Sequence, residues 1–242
     1  MSDRPRQLVF DLPVRSALGA EDFLVTSANQ AAVDLVDAWP AWPSPALIIT
    51  GPPGAGKTHL ATVWRTAAGG ESVVFNALDE TALDRFAEAR AIVVENVHTG
   101  VAASPNGHAE RLLFHLLNTA RERGGHVLMT SRVPAGALDI ALPDLRSRLR
   151  ALPAAALHEP DDALLQGLLV KLFTDRQISI EPGIIAYLLK TMERSAEAAR
   201  NLVAAVDHAA LTDRRRVTRA LVGDVLRSLQ AAPNEAPKAS AK

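Results

Sequence analysis

The eight residues Gly51-Pro52-Pro53-Gly54-Ala55-Gly56-Lys57-Thr58 constrain this chain more than any other part of it. They spell G-x-x-x-x-G-K-[ST], the spacing of a loop whose backbone N–H groups turn inward onto phosphate oxygens. The glycines allow the tight turn, and the helix that follows adds its positive N-terminal end. Lys57 is placed to reach the β- and γ-phosphates, and the Thr58 hydroxyl to ligate Mg²⁺. The motif needs a buried strand before it and a helix after it. Both flanks comply: Ala46–Thr50 is a continuous apolar run, and Thr58–Ala68 is a helix-length segment. Nucleotide binding is the implication.

The remaining pattern says what surrounds the loop. Ser72–Phe75, Ala91–Val94 and His126–Thr130 are further short runs of the kind buried on both faces of a sheet. Helical segments at Thr81–Glu88 and Glu110–Arg123 separate them, so the alternation predicts an α/β core around a parallel sheet. Upstream, Ser27–Trp39 has helical spacing, with Ser27 or Asn29 as its cap, and the prolines from Pro40 to Pro45 end it. From about Asp161 the texture changes. Ala163–Thr174, Pro182–Glu193, Ala196–Leu211 and Thr218–Leu229 are all helical in period, with no strand between them. The expected layout is a flexible arm over 1–20, a nucleotide-binding core over 21–157, an all-helical domain over 158–230 and a disordered tail over 231–242.

Composition excludes other classes. The 242 residues contain no cysteine, which removes disulfide frameworks, Cys-ligated metals and thiol nucleophiles. No apolar run is long enough to span a bilayer, and the N-terminus lacks a signal-peptide core, so a cytoplasmic address is expected. Lys and Arg number 26 against 27 Asp and Glu, a net charge of −1. That balance argues against gripping nucleic acid by bulk electrostatics.

A second acidic element is expected at a strand end, to hold Mg²⁺ and orient the attacking water. Ala91-Ile92-Val93-Val94-Glu95-Asn96 supplies it, with Glu95 on the metal side. Asn96 stands where a carboxylate base is expected, and an amide takes no proton at neutral pH, so fast intrinsic hydrolysis is not expected.

Taken in order, these signals resemble the AAA+ family, in its DnaA-related branch, over roughly residues 20–230. Asp22-Phe23-Leu24-Val25-Thr26-Ser27-Ala28-Asn29 is similar to the segment that packs around adenine there. Thr130-Ser131-Arg132-Val133-Pro134 is similar to the sensor 1 stretch, with Thr130 on the γ-phosphate or the water. Leu142-Pro143-Asp144-Leu145-Arg146-Ser147-Arg148-Leu149 resembles the box carrying the arginine finger, Arg148, with Arg146 as competitor. Ala199-Arg200-Asn201-Leu202 resembles sensor 2, whose arginine bridges lid and nucleotide. The resemblance implies a five-stranded parallel sheet with a small helical lid. It implies ADP or ATP with Mg²⁺ as ligands. Its nucleotide-binding set is Phe23, Val25, Asn29, Gly51, Pro52, Pro53, Gly54, Ala55, Gly56, Lys57, Thr58, His59 and Arg200.

The chain ends a dozen residues past its last helix, which leaves no room for the helix-turn-helix domain of DnaA and points to the short DnaA-related regulators of the Hda group. Departure from the usual acid pair fits that group, although Glu95 in place of Asp is a further departure. Gln7-Leu8-Val9-Phe10-Asp11-Leu12 resembles the sliding-clamp-binding motif of the same group. Gln7 would enter a polar subsite while Leu8, Phe10 and Leu12 fill apolar pockets. The implied function is negative regulation of replication initiation, by stimulating ATP hydrolysis in a partner DnaA while docked on the DNA-loaded clamp. Direct DNA binding would be slight, membranes are not implicated, and pairing of two copies is left open. The rival readings are an autonomous ATPase such as a helicase loader, and a nucleotide-stabilised scaffold.

Overall fold

The computed structural model describes residues 23–100, 107–213 and 215–231. The arm with Gln7, Leu8, Phe10 and Leu12, and the tail beyond 231, lie outside the described residues.

Five parallel strands form one sheet: β1 (Ala46–Thr50), β2 (Glu71–Val74), β3 (Ala91–Glu95), β4 (His126–Ser131) and β5 (Ala154–Ala156), in the order β2-β3-β4-β1-β5. Three of the four apolar runs, in β1, β3 and β4, are the central strands, where both faces are covered; the fourth, in β2, lies at the edge of the sheet with only Val73 of the strand buried, against the expectation of burial on both faces. Side chains alternate between two cores with the period of the pleat. Ile48, Ile92 and Val94 join Phe75, Phe86, Leu113 and Leu116 on one face. Leu47, Ile49, Val93 and Leu128 join Leu60 and Trp64 on the other.

Five helices accompany the sheet: α1 (Gln30–Asp37), α2 (Lys57–Ala68), α3 (Glu80–Ala89), α4 (His108–Arg123) and α5 (Pro143–Arg150). Four more follow: α6 (Asp162–Asp175), α7 (Pro182–Thr191), α8 (Ala196–Asp213) and α9 (Arg219–Ala231). Their apolar faces form a third core around Leu169, Phe173, Leu188, Val203, Val206 and Val222. The α/β core with a helical lid is thus the observed architecture. No helix among the described residues is long and apolar enough to cross a membrane.

The structure adds two local details and corrects the expected cap at Asn29. The fifth strand is Ala154–Ala156, too short and too small in side chain to stand out, and made a strand by pairing Ile48 with Ala154 and Ile49 with Ala155. The box at Leu142–Leu149 is helical, opened by Pro143 in its first turn. Asn29 precedes α1 but makes no side-chain capping bond; its Oδ1 accepts the N–H of Thr26 at 2.8 Å instead.

Candidate functional site

The site lies where β1, β3 and β4 end. Gly51–Gly56 joins β1 to α2, and Gly54 and Gly56 take φ of 74° and 96°, a backbone region that L side chains rarely adopt. A Cβ on Gly54 would lie 2.3 Å from that of Ser195, at the start of α8. Lid and loop therefore meet directly, and the N–H of Ala196 bonds the Gly54 carbonyl at 3.4 Å. Lys57 Nζ donates to the carbonyls of Gly51 at 2.8 Å and Pro52 at 2.7 Å. Burial, and then the charge of Arg132, hold its ammonium below the ordinary lysine range.

In the first turn of α2, the Thr58 hydroxyl donates to Glu95 at 3.1 Å, and the Ser72 hydroxyl donates to the other Glu95 oxygen at 3.2 Å. A hydroxyl and a carboxylate side by side fit a Mg²⁺ ion that takes its remaining oxygens from phosphates and water. Asn96 follows with a left-handed φ of 60°, and its N–H bonds the buried Thr130 hydroxyl at 3.0 Å. Thr130 thus ties the ends of β3 and β4 together. Ser72 was not foreseen, because nothing in the sequence pairs it with Glu95 across 23 positions.

The opposite wall comes from the lid and the segment before α1. Arg200 on α8 meets His59 Nδ1 at 2.8 Å, and the Phe23 ring stands edge-on to His59 with centroids 5.1 Å apart. Phe23 and Val25 are buried. Asn29 turns both ends of its amide onto its own loop, donating to the Leu24 carbonyl at 2.9 Å, so its side chain shapes the segment. A cleft of about 130 Å³ over the phosphate loop is bounded by Gly54, Gly56, Lys57, Thr58, His59, Ala196, Glu197 and Arg200. A cleft of about 490 Å³ between α2 and the lid also touches Thr58, His59 and Arg200. Pro52, Pro53 and Ala55 complete the loop.

The two candidate finger arginines differ. Arg148 is half-buried against α4: its guanidinium lies 4.7 Å over the Phe114 ring and bonds the Asn118 side-chain oxygen. Arg146 is exposed, and no side-chain partner is found for it among the described residues. Glu110, one turn before Phe114, accepts the N–H groups of Ala141 at 3.0 Å and Leu142 at 2.7 Å, where the chain enters α5. One face of α4 thus fixes the helix that carries both arginines.

Two more groups escaped the sequence. Arg132, just past β4, and His98, in the turn after β3, lie within electrostatic reach of one another and of Lys57. The spacing of His98 three residues after Glu95 was the available signal.

A parallel five-stranded sheet with a phosphate loop and helical lid is the fold of AAA+ domains. No family model matches the chain. Among solved structures, domain III of DnaA from Thermotoga maritima aligns with a TM-score of 0.72 at 17% identity, covering 91% of this chain and all 100% of that one. DnaA from Aquifex aeolicus, bound to AMPPCP, aligns with a TM-score of 0.63 at 17% identity, over 79% of this chain and 65% of that one. RuvB from Thermotoga maritima gives 0.63 at 16% identity, over 84% and 68%. At these identities the likeness is one of fold.

Proposed function

We propose that this chain is an adenine-nucleotide-binding regulator of replication initiation that docks on the DNA-loaded sliding clamp and stimulates ATP hydrolysis by DnaA. The observation that carries the reading is the chemistry at the end of β3. Glu95 is engaged by Thr58 and Ser72, as a metal-side carboxylate would be, whereas Asn96 beside it offers an amide and no proton acceptor. Such a site holds nucleotide better than it hydrolyses it.

Lys57 exchanges the carbonyls of Gly51 and Pro52 for phosphate oxygens, and the loop N–H groups add fixed partial charge. Arg200 exchanges His59 for the nucleotide, which couples lid position to occupancy. Phe23 and Val25 form the apolar wall toward the base. Thr58 and Glu95 would hold Mg²⁺, which when bound neutralises charge on the phosphates. ADP or ATP here acts chiefly as a structural ligand.

The working group is the arginine of α5. Phe114 and Asn118 hold Arg148 ready, and in trans it would stabilise charge on the phosphoryl group transferred in DnaA, an effect worth roughly 10³–10⁵ in rate. Gln7, Leu8, Phe10 and Leu12 supply the clamp contact, on sequence alone. The test is single-turnover ATP hydrolysis by DnaA with clamp and DNA present. Arg148→Ala should abolish the stimulation, and unchanged stimulation refutes the finger. A clamp pull-down with Gln7→Ala and Leu8→Ala should lose binding, and retention refutes the arm.

A further inference from the structure

The last helices of the lid carry charge that the reading above does not use. Residues 215–231 contain four arginines, Arg215, Arg216, Arg219 and Arg227, against one acid, Asp224. The chain as a whole stands at −1, so this segment is locally basic within a near-neutral protein. Two adjoining clefts gather the four. One, of about 420 Å³, lies between α7 and α9, with Tyr187, Arg219, Gly223, Asp224 and Arg227 in its walls. The other, of about 320 Å³, lies where the turn after α8 enters α9, with Arg215, Arg216 and again Asp224. Ala220 is exposed and borders both, which makes them one groove.

The groove keeps its cations in place. The Arg219 guanidinium lies 4.7 Å over the Tyr187 ring, and Arg227 pairs with Asp224 on the same helix. Arg219, Gly223 and Arg227 recur at intervals of four and so share one face of α9. The two arginines are about 12 Å apart along the helix axis, a distance that matches the width of the major groove of duplex DNA. Gly223 stands between them in mid-helix, where a glycine weakens the helix. A Cβ added there would meet the Arg227 guanidinium and the Tyr187 hydroxyl only at 3.6 Å, which is ordinary contact. Packing within the chain therefore does not demand the glycine. It leaves an unobstructed floor between two cations.

The lining also selects among anions. Val74, Leu211 and Leu229 are the large exposed hydrophobics of the described residues, and all three lie outside the groove. The apolar anchors that a protein or lipid partner needs are therefore missing. Tyr187 is half-buried with Arg219 over its ring, which leaves little of it to stack on an unpaired base. Guanidiniums without apolar anchors suit phosphate oxygens.

We propose that this groove rests on the sugar–phosphate backbone of duplex DNA, as an electrostatic contact without base readout. The contact stands apart from the nucleotide and clamp readings and is tested without either. The experiment is fluorescence anisotropy of a labelled duplex of about 20 base pairs, titrated with the full chain between about 50 and 200 mM salt. Three to four phosphate contacts predict a log–log salt slope of about −3, an affinity loss of roughly 50-fold over that range. Ala220→Glu places a carboxylate where the two clefts meet and should weaken binding at least about tenfold. Ala220→Gln, similar in size, should stay within about twofold of the parent, which also reports that the site tolerates the substitution. Arg219→Gln with Arg227→Gln should flatten the slope by about 2, and lysine at both positions should restore it. Equal binding by the two Ala220 variants, or an unchanged slope in the double glutamine variant, overturns the proposal. So does tighter binding to the matching single strand. Displacement of the duplex by polyglutamate of equal charge assigns the groove to an acidic protein segment and overturns it as well.

Discussion

Replacing Glu110 with alanine tests whether α4 holds the finger helix in place. The Glu110 side chain is 1% exposed, and its two carboxyl oxygens each accept one backbone N–H, from Ala141 and Leu142. Truncation removes both acceptors. Leu142 is half-buried, so its N–H loses a partner without full access to water, at about 1–3 kcal/mol. Ala141 is exposed and its N–H is rehydrated, which limits that loss to about 1 kcal/mol. The one buried methylene that is lost, Cγ, adds about 0.8 kcal/mol. The expected destabilisation is about 3–5 kcal/mol, a large share of a typical total of 5–15 kcal/mol. For a chain of this size that lowers Tm by roughly 10 °C. Glu110→Gln keeps the stem and one good acceptor and should lose only about 1–2 kcal/mol. The assay is urea and thermal unfolding, with amide hydrogen exchange read at Ala141 and Leu142. A loss below about 1 kcal/mol in Glu110→Ala, with the Leu142 amide still protected, would refute the reasoning.

Other perturbations separate the roles of neighbouring groups. Gly54→Ala places a Cβ 2.3 Å from that of Ser195 at a φ of 74°, so the lid must shift; affinity for a fluorescent ADP analogue should fall at least tenfold, and Ser195→Gly in the same chain should recover part of it. Arg148→Ala loses the Phe114 and Asn118 contacts and should cost about 1–2 kcal/mol, whereas exposed Arg146 should change stability by less than about 0.5 kcal/mol, both read by urea unfolding. His126 stands edge-on to Trp39 and Trp42, and burial keeps its folded-state titration below the ordinary 6.5. The unfolded chain therefore binds that proton first, so stability should fall as pH drops below about 6.5, and His98 adds the same sign. Tm against pH for the parent and His126→Phe should show a shallower acid slope in the variant, and equal slopes would count against this account.

What the sequence discloses depends on whether a feature is local or tertiary in cause. β1, β3 and β4 are buried on both faces, so their apolar runs mark them wherever they fall in the fold. Gly51–Thr58 carries its own geometry, since the glycines serve the turn itself. Ala154–Ala156 has no such mark; it is a strand because β1 offers it a free edge. Asn29 has the residue type of a helix cap, and a competing bond to Thr26 takes the side chain. His98 and Arg132 look unrelated in the sequence until the ends of β3 and β4 are laid side by side. The face of α4 is the clearest case. Glu110, Phe114 and Asn118 recur at intervals of four and so share one side of a helix, which the sequence does show. That this side grips the start of α5 and Arg148 is a fact of packing, with partners about 30 residues away in each case. The arginine motif is therefore legible as a motif, while the device that orients it is carried by residues that resemble nothing in particular.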